Sequence, residues 1–160
     1  MKLYMVRHAE AEVLHDGITD SERQLTPKGV RRTKTAAQAI ANLGLKPTHI
    51  YSSPRLRSRQ TADIIAEALK LPVSIREEVN YSFDVNAVIS LTADLDDTSE
   101  VMFVGHEPSM SMVVDDLTGA NVEMKKGGLA RVDVVLNAQP LRGRLIWLIA
   151  PRVFDILAKN

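Results

Sequence analysis

The segment Leu3-Tyr4-Met5-Val6-Arg7-His8 stands at the start of the chain. Residues 3–6 form a short apolar run, which predicts a buried β-strand. Arg7 and His8 follow at once, so polar side chains stand where that strand ends. A buried strand followed by a helix is the first unit of an α/β fold, and the segments that come next continue this pattern.

Strand-like and helix-like segments alternate along the rest of the chain. After a long loop at residues 9–26, the pair Thr26-Pro27 predicts a helix N-terminus, and Gly44 predicts the end of that helix. The pair Ser53-Pro54 predicts the start of a second helix. Further strands are predicted at residues 48–52, 73–75, 101–104, 130–136 and 144–150, and further helices at residues 85–91 and 108–117.

This alternation predicts the fold class. It indicates an α/β protein with a single three-layer domain over residues 1–160, built on a mainly parallel sheet with helices on both faces. A length of 160 residues suits one hydrophobic core. Residues 130–136 alternate apolar and polar side chains, which predicts an antiparallel strand at an edge of the sheet.

Composition and charge exclude several classes of function. Lys and Arg number 20 and Asp and Glu number 20, so the formal net charge is +0, and no charge excess points to nucleic acid or to a membrane as a partner. The absence of cysteine excludes disulfides, cysteine-ligated metals and cysteine nucleophiles. No apolar run approaches the roughly 20 residues of a membrane span. We therefore expect a cytoplasmic protein without a targeting segment.

Candidate functional residues stand at the ends of three predicted strands. Arg7 and His8 end the first strand, Arg57 follows the second by one helical turn, and His106 ends the fourth. In open α/β sheets, ligands bind outside the carboxyl ends of the strands. The sequence therefore predicts that these two arginines and two histidines meet at one edge of the sheet.

The arginines of the second helix are separated by helical geometry. Arg55, Arg57 and Arg59 are spaced by two residues, and two residues turn a helix by roughly 200°. The spacing therefore predicts that Arg57 faces the sheet edge, whereas Arg55 and Arg59 face solvent.

Such a cluster suits phosphate chemistry. Two guanidinium groups that converge on one point bind a tetrahedral oxyanion through paired hydrogen bonds. A neutral imidazole between them is a competent nucleophile. Phosphoryl transfer depends mainly on positioning and on charge stabilisation, which arginines supply without a metal ion. The sequence therefore predicts a phosphate site with a histidine nucleophile.

Three blocks of sequence resemble the histidine phosphatase superfamily, the phosphoglycerate mutase-like proteins. They are Arg7-His8, the segment Ser52-Ser53-Pro54-Arg55-Leu56-Arg57-Ser58-Arg59-Gln60-Thr61-Ala62, and Val104-Gly105-His106. Their order and their positions at strand ends are similar to the family from residue 1 to about residue 128. The small size is similar to that of the SixA-like branch of phosphohistidine phosphatases.

The resemblance implies a phosphatase that needs no metal and no cofactor. In such an enzyme His8 would be the nucleophile that takes the phosphoryl group, and Arg7, Arg57 and His106 would hold the phosphoryl oxygens. Glu78 is the candidate general acid, because larger relatives carry a glutamate after the third strand.

One further residue is a candidate for the phosphate groove. Arg23, in the long loop, is a candidate substrate-binding residue. The segment Lys125-Lys126-Gly127-Gly128 predicts a turn, with a contact to phosphate as the alternative interpretation.

The implied substrate is phosphohistidine in a protein, namely a histidine-phosphorylated signalling or phosphotransfer protein. Two alternatives stay open. One is a phosphatase or mutase of small phosphomonoesters, and the other is a non-catalytic module that binds phosphorylated partners. An intact His8 argues against the second alternative, because binding alone requires no nucleophile.

Overall fold

A six-stranded mixed sheet forms the centre of the molecule. The computed structural model describes residues 1–135 and 138–158. The strand order is β3-β2-β4-β1-β5-β6. The pairs β3–β2, β2–β4 and β4–β1 are parallel, whereas β1–β5 and β5–β6 are antiparallel, which confirms the predicted mainly parallel sheet. The strands are β1 (Lys2–Arg7), β2 (His49–Ser52), β3 (Val73–Ile75), β4 (Glu100–Gly105), β5 (Leu129–Val134) and β6 (Gly143–Ile149).

Helices cover both faces of this sheet, as predicted. Side chains of α1, α2 and α5 share one buried apolar cluster with the sheet, and side chains of α3 and α4 share the other. Strand β1 contributes Leu3 and Met5 to one cluster and Tyr4 and Val6 to the other, because successive side chains of a strand point to opposite faces. The helices are α1 (Pro27–Asn42), α2 (Leu56–Leu69), α3 (Val85–Thr92), α4 (Ser109–Thr118) and α5 (Pro151–Leu157).

The start of α1 follows its sequence signals. The Thr26 hydroxyl accepts a hydrogen bond from the Gly29 N–H at 2.9 Å, and Pro27 occupies the first helical position. Gly44, just past the end of the helix, has a φ of 70°, a left-handed conformation that glycine adopts without strain.

Helix α2 begins at Leu56 and not at Ser53-Pro54, where the sequence predicts it. The Ser53 N–H still donates to Val104 in β4, at 3.0 Å, so the chain continues the sheet pairing for one residue beyond β2. Arg55 then adopts an extended conformation, with φ −66° and ψ 134°, as the residue before the helix.

The end of the chain differs from the prediction in two ways. Strand β5 is antiparallel as predicted, but it lies between β1 and β6, so β6 is the edge strand. The predicted last residue of β5, Leu136, lies outside the described residues, as do Asn137, Lys159 and Asn160. Helix α5 was not predicted at all. This helix has only seven residues, so its sequence pattern is short. Pro151 is its first residue, and Phe154 is its buried residue.

Two 3₁₀ turns complete the described structure, at Asp20–Glu22 in the long loop and at Glu77–Val79 after β3. Within residues 1–135 and 138–158, no helix is both long enough and apolar enough to cross a membrane.

Candidate active site

The sheet brings the three predicted strand ends together. Arg7 pairs in register with Gly105 across β1 and β4, and the N–H of His8 donates to the carbonyl of Gly105 at 2.9 Å. The rings of His8 and His106 consequently lie with their centroids 5.2 Å apart. Adjacent parallel strands thus place both imidazoles at one edge, as the sequence predicts.

Hydrogen bonds define the tautomer of His8. Its Nδ1 lies 2.7 Å from the carbonyl oxygen of Ala9, and because a carbonyl only accepts, Nδ1 carries the proton. The other ring nitrogen, Nε2, accepts a hydrogen bond from Arg57 Nε at 3.2 Å. The lone pair of His8 Nε2 therefore points toward the guanidinium group of Arg57. An anion that binds to this guanidinium would lie close to Nε2.

The surroundings of His8 keep its ring neutral. Burial lowers the pKa of His8, the hydrogen bond to Ala9 raises it, and the charges of Arg57 and Arg7 lower it again, to about 4. A neutral imidazole retains its lone pair at physiological pH. His8 is therefore ready to act as a nucleophile without prior loss of a proton.

Arg57 is held rigidly beside His8. Its side chain is only 2% exposed, although it belongs to the first turn of α2. Its Nη1 donates to the backbone carbonyl of Asp20 at 2.7 Å, and its Nη2 donates to the Tyr81 hydroxyl at 2.6 Å. With Nε directed at His8, each of its three nitrogens has a defined partner.

The carboxylate of Asp20 links this arginine to two others. It accepts from Arg55 Nη1 at 2.7 Å, from Arg23 Nη1 at 2.9 Å and from the Tyr81 hydroxyl at 2.5 Å, and Arg57 Nη2 is 3.3 Å away. Burial raises the pKa of Asp20, but the hydrogen bonds of Tyr81 and Arg23 and the charge of Arg57 lower it well below its usual range. This ionised carboxylate balances only one of three guanidinium charges.

Arg55 therefore belongs to the site, and its predicted place in solvent was wrong. It donates from Nε to Asn80 at 2.8 Å, and its guanidinium lies 4.1 Å from the centre of the Tyr81 ring. The prediction assumed that Arg55 is helical, but this residue precedes α2 and has extended backbone angles. Arg59 lies inside the helix and is exposed, as predicted.

Arg7 precedes His8 at the end of β1, and its side chain is anchored by the segment before β5. Its Nη1 donates to the Met124 carbonyl at 2.7 Å, and the N–H of Gly127 lies 3.0 Å from the carbonyls of both Arg7 and His8. The Nε of Arg7 is buried and has no hydrogen-bond partner among the described residues. A buried donor without a partner costs free energy, which a bound anion would recover.

His106 is almost completely buried. Its Nε2 lies 2.8 Å from the hydroxyl of Ser53, whereas its Nδ1 is buried and has no hydrogen-bond partner within residues 1–135 and 138–158. Burial lowers the pKa of His106, and the positive charges of protonated His8 and of Arg57 lower it further, to about 3. The ring is therefore neutral, and it offers one unsatisfied nitrogen beside His8.

The remaining two candidates differ in their placement. Arg23 donates to Asp20 and to the Glu12 carbonyl, and its charge contributes to the lowered pKa of His8. Glu78 is exposed in its 3₁₀ turn and has no hydrogen bond or ion pair with another described residue. The structure thus gathers Arg7, His8, Arg23, Arg57 and His106, and leaves Glu78 outside the hydrogen-bonded cluster.

Sequence reasoning missed Asp20, Tyr81 and the role of Ser53. The loop that carries Asp20 has no periodic pattern, and its one local signal is a capping box between Thr19 and Glu22 around the 3₁₀ turn. Among the described residues, no three His, Cys, Asp or Glu side chains are grouped so that they could hold a metal ion. The cluster instead combines a neutral imidazole with several guanidinium groups, an arrangement that suits a tetrahedral oxyanion.

Comparisons with known proteins bear on the family of this chain. The family model of the histidine phosphatase superfamily (branch 1) matches residues 3–80. An uncharacterized protein of Picosynechococcus sp. is 32% identical over 136 residues, which are 81% of this chain and 82% of that protein. The phosphohistidine phosphatase SixA of Escherichia coli is 26% identical over 121 residues, 73% of this chain and 74% of that one.

The fold is also that of a solved SixA. A structure of the protein histidine phosphatase SixA with tungstate has a TM-score of 0.84 and 22% identity, and the match covers 96% of this chain and 99% of that chain. The chain spans only about a quarter of the length of the Xenopus mitochondrial PGAM5 phosphatases that it also matches. From the family-model match, the similarity to SixA and the relative that is 32% identical over 81% of this chain, we conclude that the chain belongs to the histidine phosphatase superfamily.

Proposed function

We propose that this protein is a metal-independent phosphatase that removes phosphate from phosphohistidine in proteins. One observation carries the proposal: His8 is neutral, its Nδ1 proton is bound by the Ala9 carbonyl, and its Nε2 lone pair is directed at the guanidinium of Arg57. This is the tautomer and the orientation that an attack of Nε2 on phosphorus requires.

The reaction has two steps. In the first, His8 Nε2 forms a bond to phosphorus while the bond between phosphorus and the substrate imidazole breaks, so the phosphoryl group moves to His8. In the second, water attacks that phosphorus, His8 leaves as a neutral imidazole, and inorganic phosphate is released. Each step passes through a phosphoryl group whose oxygens carry the negative charge.

Three side chains around His8 would hold those oxygens. Arg57 supplies a fixed guanidinium, while Arg7 Nε and His106 Nδ1 are buried nitrogens without a hydrogen-bond partner in the described part of the chain. Phosphoryl oxygens would satisfy both nitrogens, and the net positive charge of the cluster would stabilise the charge of the transition state. The proposal therefore needs no metal ion as the source of positive charge.

The protonation of the leaving group favours phosphohistidine over alkyl esters. An alkoxide leaves slowly unless an acid protonates it, and the one carboxyl group within the cluster, Asp20, is ionised because its pKa is far below the usual range. Glu78 is exposed and outside the hydrogen-bonded cluster. A phosphorylated imidazole takes up its proton from water near neutral pH, so it can leave without such an acid.

The relatives support the same substrate class. SixA of Escherichia coli is a phosphohistidine phosphatase, and we extend that activity to this chain. The substrate would be a histidine-phosphorylated signalling or phosphotransfer protein.

The test is a comparison of kcat/KM for a phosphohistidine protein, an aryl phosphate and phosphoglycerate under one condition. We expect the phosphohistidine protein to be the best substrate and the aryl phosphate to come second.

His8→Ala should abolish turnover, whereas the matched change at an exposed histidine, His15→Ala, should leave it intact. Quenched wild-type enzyme should carry acid-labile phosphate. If phosphoglycerate is best, the substrate assignment fails, and acid-stable label would contradict the nucleophile.

A further inference from the structure

A positively charged groove adjoins the phosphate site on the Arg7 side. Its volume is about 480 Å³. Its lining, as far as the structure describes the chain, has five cationic residues and one anionic residue, namely Arg7, Arg32, Lys125, Lys126 and Arg152, and Glu123. The whole chain has as many acidic as basic residues, so this concentration of positive charge is local.

Some of these charges are already balanced and others are free. Arg32 forms an ion pair with Asp155 at 2.6 Å, and Lys125 pairs with Glu123. Lys126 and Arg152 are exposed and have no ion pair with any described residue. The unbalanced positive charge of the groove therefore lies at these two side chains and at Arg7.

The backbone connects the groove directly to the nucleophile. Gly127, the residue after Lys126, donates its N–H toward the carbonyls of Arg7 and His8, 3.0 Å from each. Gly127 has a φ of 81°, and a Cβ on Gly128 would lie 2.8 Å from the Lys125 carbonyl oxygen. These two glycines allow the tight turn that keeps Lys126 beside the site.

We propose that this groove binds acidic side chains that flank the phosphohistidine of the protein substrate. The inference rests on the proposed function and adds a rule of substrate selection to it. A substrate phosphohistidine whose phosphoryl oxygens contact Arg7 before the transfer to His8 would bring its neighbouring residues to the groove, where the free cations of Lys126 and Arg152 lie. Complementary charges of this kind select partners and accelerate their encounter.

The lining favours an acidic protein surface over a nucleic acid. Single-stranded nucleic acids are bound by grooves that combine positive charge with aromatic side chains on which bases stack. None of the described residues that line this groove is aromatic, and the carboxylate of Glu123 interrupts its positive charge. A short acidic segment of a protein needs neither stacking nor a long continuous cationic track.

The experiment compares two phosphohistidine peptides of equal length, one with glutamates and the other with glutamines beside the phosphohistidine. The wild type should prefer the glutamate peptide roughly three- to tenfold in kcat/KM, through KM, because an exposed ion pair contributes little individually. The preference should shrink in about 0.5 M salt, where exposed charges are screened. The double variant Lys126→Gln/Arg152→Gln should lose it and should hydrolyse the glutamine peptide at the wild-type rate.

A matched control separates the groove from the overall charge. Lys34→Gln/Lys70→Gln removes two exposed cations that lie elsewhere and are likewise without ion pairs to described residues, and it should keep the preference. An equal preference in the groove variant, or none in the wild type, overturns the inference. Tighter binding of single-stranded DNA than of the glutamate peptide, lost in the groove variant, also overturns it. A wild type that hydrolyses neither peptide refutes the proposed function itself.

Discussion

Mild acid should destabilise this protein, because two buried histidines must remain neutral in the folded state. Burial lowers the pKa of both histidines, and the neighbouring positive charges lower it further. The pKa of His8 falls to about 4 and that of His106 to about 3. In the unfolded chain both titrate near the ordinary value of about 6.5. As the pH falls below that value, the unfolded chain binds protons that the folded protein does not, so the free energy of unfolding decreases.

The size of the effect follows from the number of protons. One such group gives a slope of at most about 1.4 kcal/mol per pH unit. Between about pH 6 and about pH 5 the unfolded imidazole is mostly protonated. The free energy of unfolding therefore decreases by ~1 kcal/mol for one histidine and by ~2 kcal/mol for both. The decrease should continue until the pH reaches the folded-state pKa values.

Urea unfolding at several pH values between about 6 and about 5 measures this slope. Trp147, which is partly buried and stacks on Tyr4 with ring centroids 6.1 Å apart, provides a fluorescence signal for the packing of the core. His106→Gln should approximately halve the slope, whereas His15→Gln, at an exposed position, should not change it. A free energy of unfolding that is independent of pH in this range, or an unchanged slope in His106→Gln, would refute the reasoning.

Further predictions concern the arginines, the end of β4 and the role of metal ions. Arg57→Lys should lower kcat/KM by two or more orders of magnitude without unfolding the protein, because lysine cannot reproduce the fixed guanidinium contacts. Near-normal activity in steady-state assays would contradict the proposal that Arg57 holds phosphoryl oxygens. Arg55→Lys should cost about tenfold through the loosened carboxylate cluster, while Arg59→Lys should stay within about twofold; equal effects would count against the assignment of Arg55. Gly105→Ala should lower the free energy of unfolding by about 1–3 kcal/mol, because its Cβ would lie 2.4 Å from Met110 Cε and 3.0 Å from the Val79 carbonyl oxygen; thermal or urea unfolding checks this. Turnover should persist in EDTA, and a loss that magnesium restores would show that the arginines do not supply the required charge.

Local signals were sufficient for the fold class and for the principal candidates of the site. Short apolar runs bounded by turn residues marked the strands, and the Thr26-Pro27 pair marked the start of α1, which the structure confirms. The carboxyl ends of parallel strands lie at one edge of a sheet. For that reason Arg7, His8 and His106 could be grouped from sequence, although their catalytic roles remain predictions.

Backbone angles limited what the spacing of residues could predict. The two-residue spacing of the arginines separates their directions only inside a helix. Arg57 and Arg59 obey the rule, but Arg55 precedes the first turn of α2 with ψ 134°. The sheet pairing of Ser53 with β4 decided where α2 begins. This pairing is a contact between distant parts of the chain.

The sequence by itself determined the alternation of strands and helices and the residue types at the strand ends, because apolar periodicity and capping depend on neighbours in the chain. Only the tertiary structure decided that Asp20 joins Arg57 and that Lys126 and Arg152 share a groove with Arg7. It also decided that the pKa of His8 falls to about 4. Burial and electrostatic interactions depend on distances between segments far apart in sequence, and those distances exist only once the sheet and its helices have packed.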